Sequence, residues 1–236
     1  MESHGTLIQD LLTACRILDR EGIMDELGHF SVRIPGKKRV LMNGKISPGQ
    51  ATEEDLVLLD LDGKRLDGRL EAAKEIPLHL AVYQRRPDVA AIAHTHSPTI
   101  VALSATGTRL RAMDNLGATA FGREAPMFDE YGLVDNFDMG YRIVDTMGSA
   151  GTVVLKGHGN LVTGGSIQET CVSAIWAEKS ARLQYQAMLL GEPHWLPEEE
   201  VEKIHRQVTE GKAFQRTWNY YRWRLGAGCK EGWVEI

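Results

Sequence analysis

The chain has 236 residues, 43% of them hydrophobic and 25% charged, with a formal net charge of −5. That length buries a sizeable core, and an acidic balance without any Lys/Arg block argues against a nucleic-acid partner, while no apolar stretch reaches the roughly 18 residues of a membrane span. Cys15, Cys171 and Cys229 are far apart and form neither a disulfide framework nor a C-x-x-C site, and Met1-Glu2-Ser3-His4-Gly5 lacks the basic start and apolar core of a secretory leader, so a reducing cytoplasm is expected.

In chain order, Leu7, Ile8, Leu11, Leu12, Cys15 and Leu18 have helical spacing, ending near Gly22. Phe30-Ser31-Val32-Arg33-Ile34 alternates as a strand, and Pro35-Gly36-Lys37-Lys38 turns into a second strand, Arg39-Val40-Leu41-Met42. Residues 56–61 form a third, followed by an Asp62-Gly63 hairpin signal. Residues 71–85 hold a helix that contains Pro77, and proline is tolerated only in a first turn, so the helix starts near Glu75. The apolar run Val89-Ala90-Ala91-Ile92-Ala93 is a buried strand, stopped by Ser97-Pro98. Residues 98–106 and 136–147 read as short helices, and Val153-Val154-Leu155-Lys156 as another strand. Ser166-Ile167-Gln168-Glu169 is a capping-box pattern opening a long amphipathic helix to Leu190. From Pro197 to Trp223 the chain is charged and helical. Without repeats or linkers, 1–236 reads as a single α/β domain with a mixed sheet between helical layers, and 197–236 as its helical, aromatic C-terminal extension.

The strand over 89–93 runs into His94-Thr95-His96. Residues two apart on a strand share a face, so both imidazoles aim at one point while Thr95 faces away. The strand over 153–156 ends in Gly157-His158-Gly159. Three imidazoles from two strand ends would leave a divalent metal an open position, as catalytic sites do. The plainer reading is that each is a satisfied core or surface histidine and the glycines are turn residues; the equivalent placement of both clusters at strand ends, where α/β folds gather ligands, favours the metal. Carbon chemistry at a metal needs a proton carrier. Glu75, nineteen residues before His94 and at a helix start that favours a carboxylate, is the candidate. Its plainer role is to cap its own helix. His79, four residues on, shares its helix face and is a fourth ligand, an orienter of Glu75, or a packed structural residue.

Glu75-x3-His79, Tyr83-Gln84-Arg85-Arg86-Pro87-Asp88, His94-Thr95-His96-Ser97-Pro98 and Gly157-His158-Gly159, in that order, resemble the class II aldolase/adducin-like family. Gly28-His29-Phe30-Ser31-Val32-Arg33 and Thr52-Glu53-Glu54-Asp55-Leu56-Val57 extend the resemblance, which spans about residues 7–190. It implies a three-layer α/β/α domain with a central mixed, largely antiparallel sheet, and a C4 homotetramer with active sites at subunit interfaces. It implies one divalent ion per chain on His94, His96 and His158, zinc first, with manganese, iron or cobalt as alternatives, and Glu75 as the acid/base. Members include sugar-phosphate aldolases and epimerases, a dehydratase, and decarboxylases of hydroxylated aromatic dicarboxylates; adducin head domains share the fold without the chemistry. Asp129, Glu130 and Tyr131 lie where members place groups from a second subunit.

Sugar-phosphate members hold phosphate with a Gly-Asn, a Thr-Pro-Ser-Gly-like loop and Ser-Ser before the glutamate. Here Gly28-His29, Ile46-Ser47-Pro48-Gly49 and Ala73-Lys74 stand there. A phosphate dianion needs several fixed donors, and these are lost together. His29, Ser47 and Lys74 are therefore expected to bind a small-molecule carboxylate, as in the decarboxylase branch. Phe214, Trp218, Tyr220, Tyr221 and Trp223, interleaved with arginines, read either as a packed terminal helix or as a lid or neighbouring-subunit wall that stacks on a planar substrate, with Tyr220 as a substrate contact. The leading expectation is a metal-dependent lyase that decarboxylates a hydroxyaryl or hydroxypyridine carboxylate through a metal-stabilised enolate. The alternatives are an aldolase or 4-epimerase on a ketose phosphate, a non-catalytic adducin-like module, and an iron oxygenase.

Overall fold

The computed structural model describes residues 4–226. Among these, one sheet of eight strands runs through the molecule in the order β4-β3-β2-β1-β5-β8-β7-β6. The strands are β1 (His29–Arg33), β2 (Arg39–Asn43), β3 (Leu56–Asp60), β4 (Arg65–Asp67), β5 (Ala91–Thr95), β6 (Met127–Phe128), β7 (Thr152–Leu155) and β8 (Gly159–Gly164). Neighbours pair antiparallel except β6 and β7, which are parallel. The helices are α1 (His4–Arg20), α2 (Ile76–Arg85), α3 (Pro98–Ala105), α4 (Asn115–Ala120), α5 (Phe137–Met147), α6 (Ile167–Leu190), α7 (Glu198–Glu210) and α8 (Ala213–Arg224).

Strand alternation sorts the side chains into two cores. Phe30, Val32, Ala91 and Ala93 pack with α1, α3 and α6 on one face. Ile92, Val153 and Leu161, one residue out of phase, pack with α2 and α5 on the other. The result is three layers, α/β/α, around a mixed and largely antiparallel sheet, as the resemblance implied. His29, Ser31 and His94 share the parity of Ile92 across the β1–β5 register, in which Ser31 faces Ile92 and His29 faces His94, so they open toward α2.

The short helix α4 and the strands β6 and β8 were not foreseen. β8 reads Gly-Asn-Leu-Val-Thr-Gly, a sequence whose glycines and asparagine spell a loop. It is a strand because β5 and β7 pair with it on both sides. The region over 197–223, expected to be helical, is two helices, broken at Gly211-Lys212, where Lys212 takes a left-handed φ of 52°. Cys229 and the extension beyond 226 lie outside the described residues. No helix among the described residues is long and apolar enough to cross a membrane.

Candidate active site

Because β5 and β7 both run antiparallel to β8, they point the same way, and their ends meet at one edge of the sheet. His94 lies at the end of β5, His96 just beyond it, and His158 in the β7–β8 turn. That turn is tightly specified. Gly157 takes a φ of +64°, and a Cβ on Gly159 would stand 2.3 Å from the Thr95 carbonyl oxygen. The Gly157 N–H donates to Ser104 Oγ at 3.0 Å. Thr95, pointing to the opposite face as expected, donates to Asn160 Oδ1 at 2.9 Å.

The three rings converge, with centroids 4.9 Å (His94–His158), 5.0 Å (His94–His96) and 5.3 Å (His96–His158) apart. Glu75 closes the group. Its Oε2 is 3.5 Å from His94 Nε2, 3.6 Å from His158 Nε2 and 3.8 Å from His29 Nε2. One ligand atom from each of Glu75, His94, His96 and His158 falls within 4.8 Å of the others. Glu75 stands at the N-terminus of α2 but does not cap it with its side chain. Its Oε1 instead accepts from the Val134 N–H at 2.9 Å. The plainer role weighed for this residue, self-capping, is therefore not the one it plays.

The electrostatics fit a cation. Burial alone would raise the Glu75 carboxyl, but the imidazoles of His158, His29 and His94 outweigh it and hold the group far below the usual carboxylate range. Burial pulls His94 down to about 3, against the opposing pull of Glu75. A neutral imidazole is the metal-binding form. His94 is fully buried, yet neither Nδ1 nor Nε2 has a hydrogen-bond partner. Every neutral imidazole carries a lone pair that needs a donor or a cation, and a buried orphan is costly. A divalent ion among the three rings would satisfy it, so the donor set and its orphaned nitrogen fit the group. His96 turns its Nδ1 to Asp25 Oδ1 at 2.7 Å, which leaves Nε2 for the centre. Imidazole ligands are commonly oriented by carboxylates in this way.

Glu75, His96 and His158 line an open cleft of about 1140 Å³, with His94 buried behind them. His29, Ser47 and Lys74 are on its wall. His79 is fully buried and bonds His29, its Nε2 2.8 Å from His29 Nδ1, rather than reaching Glu75. Tyr220 is not brought to the cleft. Trp218 and Tyr221 are the buried residues of α8, which packs on α6, so Tyr220 and Trp223 are left about half exposed on its other side. Asp25, Lys45 and Leu133 also line the cleft without having been singled out for it, as does Tyr131 of the loop that the resemblance pointed to. An Asp three residues before Gly28 is a readable turn signal, and Asp25 Oδ1 does accept from the Gly28 N–H at 3.1 Å. Tyr131 and Leu133 come from a loop with no periodic pattern. Asp129 and Glu130 pair with Lys156 and Arg142.

An α/β/α domain with a three-histidine, one-glutamate cluster at its sheet edge defines the class. The model of the class II aldolase and adducin N-terminal domain matches residues 9–185, and the chain belongs to that family. It is 32% identical to a 3,4-dihydroxyphthalate decarboxylase of Arthrobacter keyseri over 203 residues, covering 80% of this chain and 82% of the relative. It is also 32% identical over 156 residues to a 5-deoxy-D-ribulose 1-phosphate aldolase of Bacillus thuringiensis, covering 65% and 71%. An aldolase II superfamily protein from Pseudomonas syringae superposes with a TM-score of 0.82 over 95% of this chain and 94% of its own, at 24% identity, and so shares the fold. With decarboxylases and aldolases as its relatives, the chain is a lyase of this family.

Proposed function

We propose that the chain is a divalent-metal-dependent carbon–carbon lyase acting on an unphosphorylated hydroxy or keto carboxylate, by decarboxylation of a hydroxyaryl or hydroxypyridine carboxylate. The observation that carries this reading is the buried His94, orphaned at both nitrogens and 3.5 Å from a carboxylate. His94, His96 and His158 would hold one ion, zinc being the first choice for three imidazoles and manganese, iron or cobalt the alternatives. Such an ion supplies Lewis acidity for the electron pair left on carbon when a carbon–carbon bond breaks.

Glu75 is the proton carrier. Its carboxyl is held ionised, so it begins as a base and takes the proton of the substrate hydroxyl. Glu75 then delivers that proton to the ring carbon that bears the carboxylate, which the negative oxygen makes nucleophilic. The bond to the carboxylate carbon breaks, CO2 leaves, and its electron pair restores the ring π system and the charge on the oxygen. The Val134 N–H occupies Oε1, and Oε2, turned to the imidazoles of His94, His158 and His29, is left to carry the proton. Lys74, Lys45, Ser47 and His29 on the cleft wall supply cationic and polar contacts for a carboxylate, which carries less charge than a phosphate dianion.

The aldolase relative at equal identity, together with two lysines at the rim, supports a second reading in which a ketose phosphate undergoes retro-aldol cleavage or 4-epimerisation. A homotetramer with interface sites is supported by Leu27, Tyr131 and Leu133, apolar and exposed at the cleft. Buried free thiols at Cys15 and Cys171 accord with a reducing compartment. The test is to screen zinc-loaded protein against hydroxyaryl dicarboxylates and ketose phosphates, following CO2 and aldehyde separately. CO2 release without aldehyde is expected; aldehyde from ketose phosphates, with no hydroxy acid turned over, overturns the reading.

A further inference from the structure

Behind the cleft runs a row of buried polar groups that the proton transfer above does not use. His29 Nδ1 meets His79 Nε2 at 2.8 Å, His79 Nδ1 meets Ser31 Oγ at 2.6 Å, and Ser31 Oγ meets the Tyr83 hydroxyl at 2.9 Å. All four residues are at most 2% exposed. The row exists because two repeats match. His29 and Ser31 are two apart on β1, a spacing of about 6.8 Å on a strand. His79 and Tyr83 are four apart on α2, about 6 Å along a helix. Strand and helix therefore present their polar residues as facing ladders.

Such a row has a direction. Ser31 Oγ is the one hydrogen-bond partner of the Tyr83 hydroxyl among the described residues. With Tyr83 donating, Ser31 donates to His79 Nδ1, His79 donates through Nε2 to His29 Nδ1, and the His29 proton stands on Nε2. That nitrogen faces Glu75 Oε2 at 3.8 Å. A carboxylate only accepts, so this order satisfies both ends. Reversed, the row leaves the Tyr83 proton without an acceptor in the core, and, with His29 neutral, a bare His29 lone pair against a carboxylate. Both are costly. We infer that Tyr83, Ser31 and His79 are positioning residues that fix His29 as its Nε2–H tautomer, so that His29 presents a permanent donor to a substrate oxygen beside Glu75. The inference deepens the proposed lyase function and rests on it for the substrate.

The test reads tautomer and turnover separately. Long-range ¹H–¹⁵N NMR of histidine-labelled protein, metal-free and zinc-loaded, is expected to show His29 protonated at Nε2 and bare at Nδ1. Ser31→Ala cuts the row, and Tyr83→Phe removes its first donor with little change of volume. Both are expected to mix the His29 tautomers while metal content stays at the wild-type level. Ser31→Ala is expected to lower kcat by about 10-fold or more, since loss of an aimed donor acts in the transition state, with KM within about twofold. A wild-type His29 protonated at Nδ1 or at both nitrogens overturns the inference. So does an unchanged tautomer in both variants, or a mixed tautomer with unchanged kcat. If the tautomers behave as expected but no carboxylate is turned over, the row stands and it is the lyase reading that fails.

Discussion

The histidine wall of the cleft and its lysine rim differ in how firmly each side chain is held. His29 and His94 lie on paired central strands, with His79 beneath them, all at most 2% exposed. The β7–β8 turn fixes His158 through glycines, and Asp25 fixes His96. Lys45, Ser47 and Lys74 instead sit on segments outside the sheet, between β2 and α2. The difference is that of machinery and selection. Cations carried on loops can be exchanged without disturbing the core, whereas a change in the wall also disturbs the packing around it.

The largest effect is expected from breaking the wall. His94→Ala removes an imidazole at the centre of the group, so the protein should lose its ion on dialysis and turnover should fall to background. Elemental analysis paired with an activity assay checks this, and full activity in metal-free protein would sink the assignment. Glu75→Gln comes next. It keeps the volume and the contact to the Val134 N–H but cannot carry a proton, so kcat should fall by about 10²–10⁴ with the ion retained. Turnover like wild type would assign the proton to another group. Asp25→Asn tests how far the wall depends on its backing. Burial opposes ionisation of Asp25, but the His96 contact outweighs it and lowers its pKa. Weakening that contact should cost about 10–100-fold in metal affinity by competition titration, with kcat at saturating metal less affected. At the rim, Lys74→Ala should raise KM for a carboxylate substrate by roughly 3- to 10-fold with a smaller change in kcat, the pattern of lost uniform binding. A kcat loss larger than the KM rise would move Lys74 from the rim into the chemistry.

The sequence is unequally transparent for the two regions. The metal-facing part of the wall was legible because its residues flank periodic elements. His94 and His96 close an apolar strand run, His158 closes another between obligatory glycines, and Glu75 precedes a proline that dates the helix start. The strand β8 that aligns them was hidden, since its glycines and asparagine are forced into a strand only by β5 and β7 on either side. The rim and the loop over residues 131–134 carry no repeat that a reader could count. Lys45 and Leu133 acquire a place only when distant segments fold over the strand ends. Tyr220, away from its own chain's cleft, is opaque for a related reason. Its aromatic company marks a helix face, and the composition does not say which face is buried.

The smallest effect tests what holds the rim. Behind it, the Gly44 N–H donates to the Asp55 carbonyl at 2.8 Å. The Asp55 carboxylate accepts from the Thr52 hydroxyl at 2.7 Å, the Thr52 N–H at 3.0 Å and Arg69 Nη2 at 2.7 Å. The Thr52 hydroxyl first, then Arg69, draws the carboxyl down from 3.8 to about 2. A carboxyl lowered on folding stabilises the protein above its unfolded pKa, and the contribution is lost as pH falls through the folded value. Asp55→Asn should therefore lower Tm by about 2–4 °C at neutral pH, the scale of one weakened charged hydrogen-bond set in a domain of this size. The gap between wild type and variant should hold from pH 7 down to about 4 and close between about 4 and 2, where wild-type Asp55 itself becomes neutral. Because this contact backs the rim and not the wall, KM should rise modestly while metal retention stays unchanged. A variant that loses its ion would show instead that the rim and the wall are mechanically one unit.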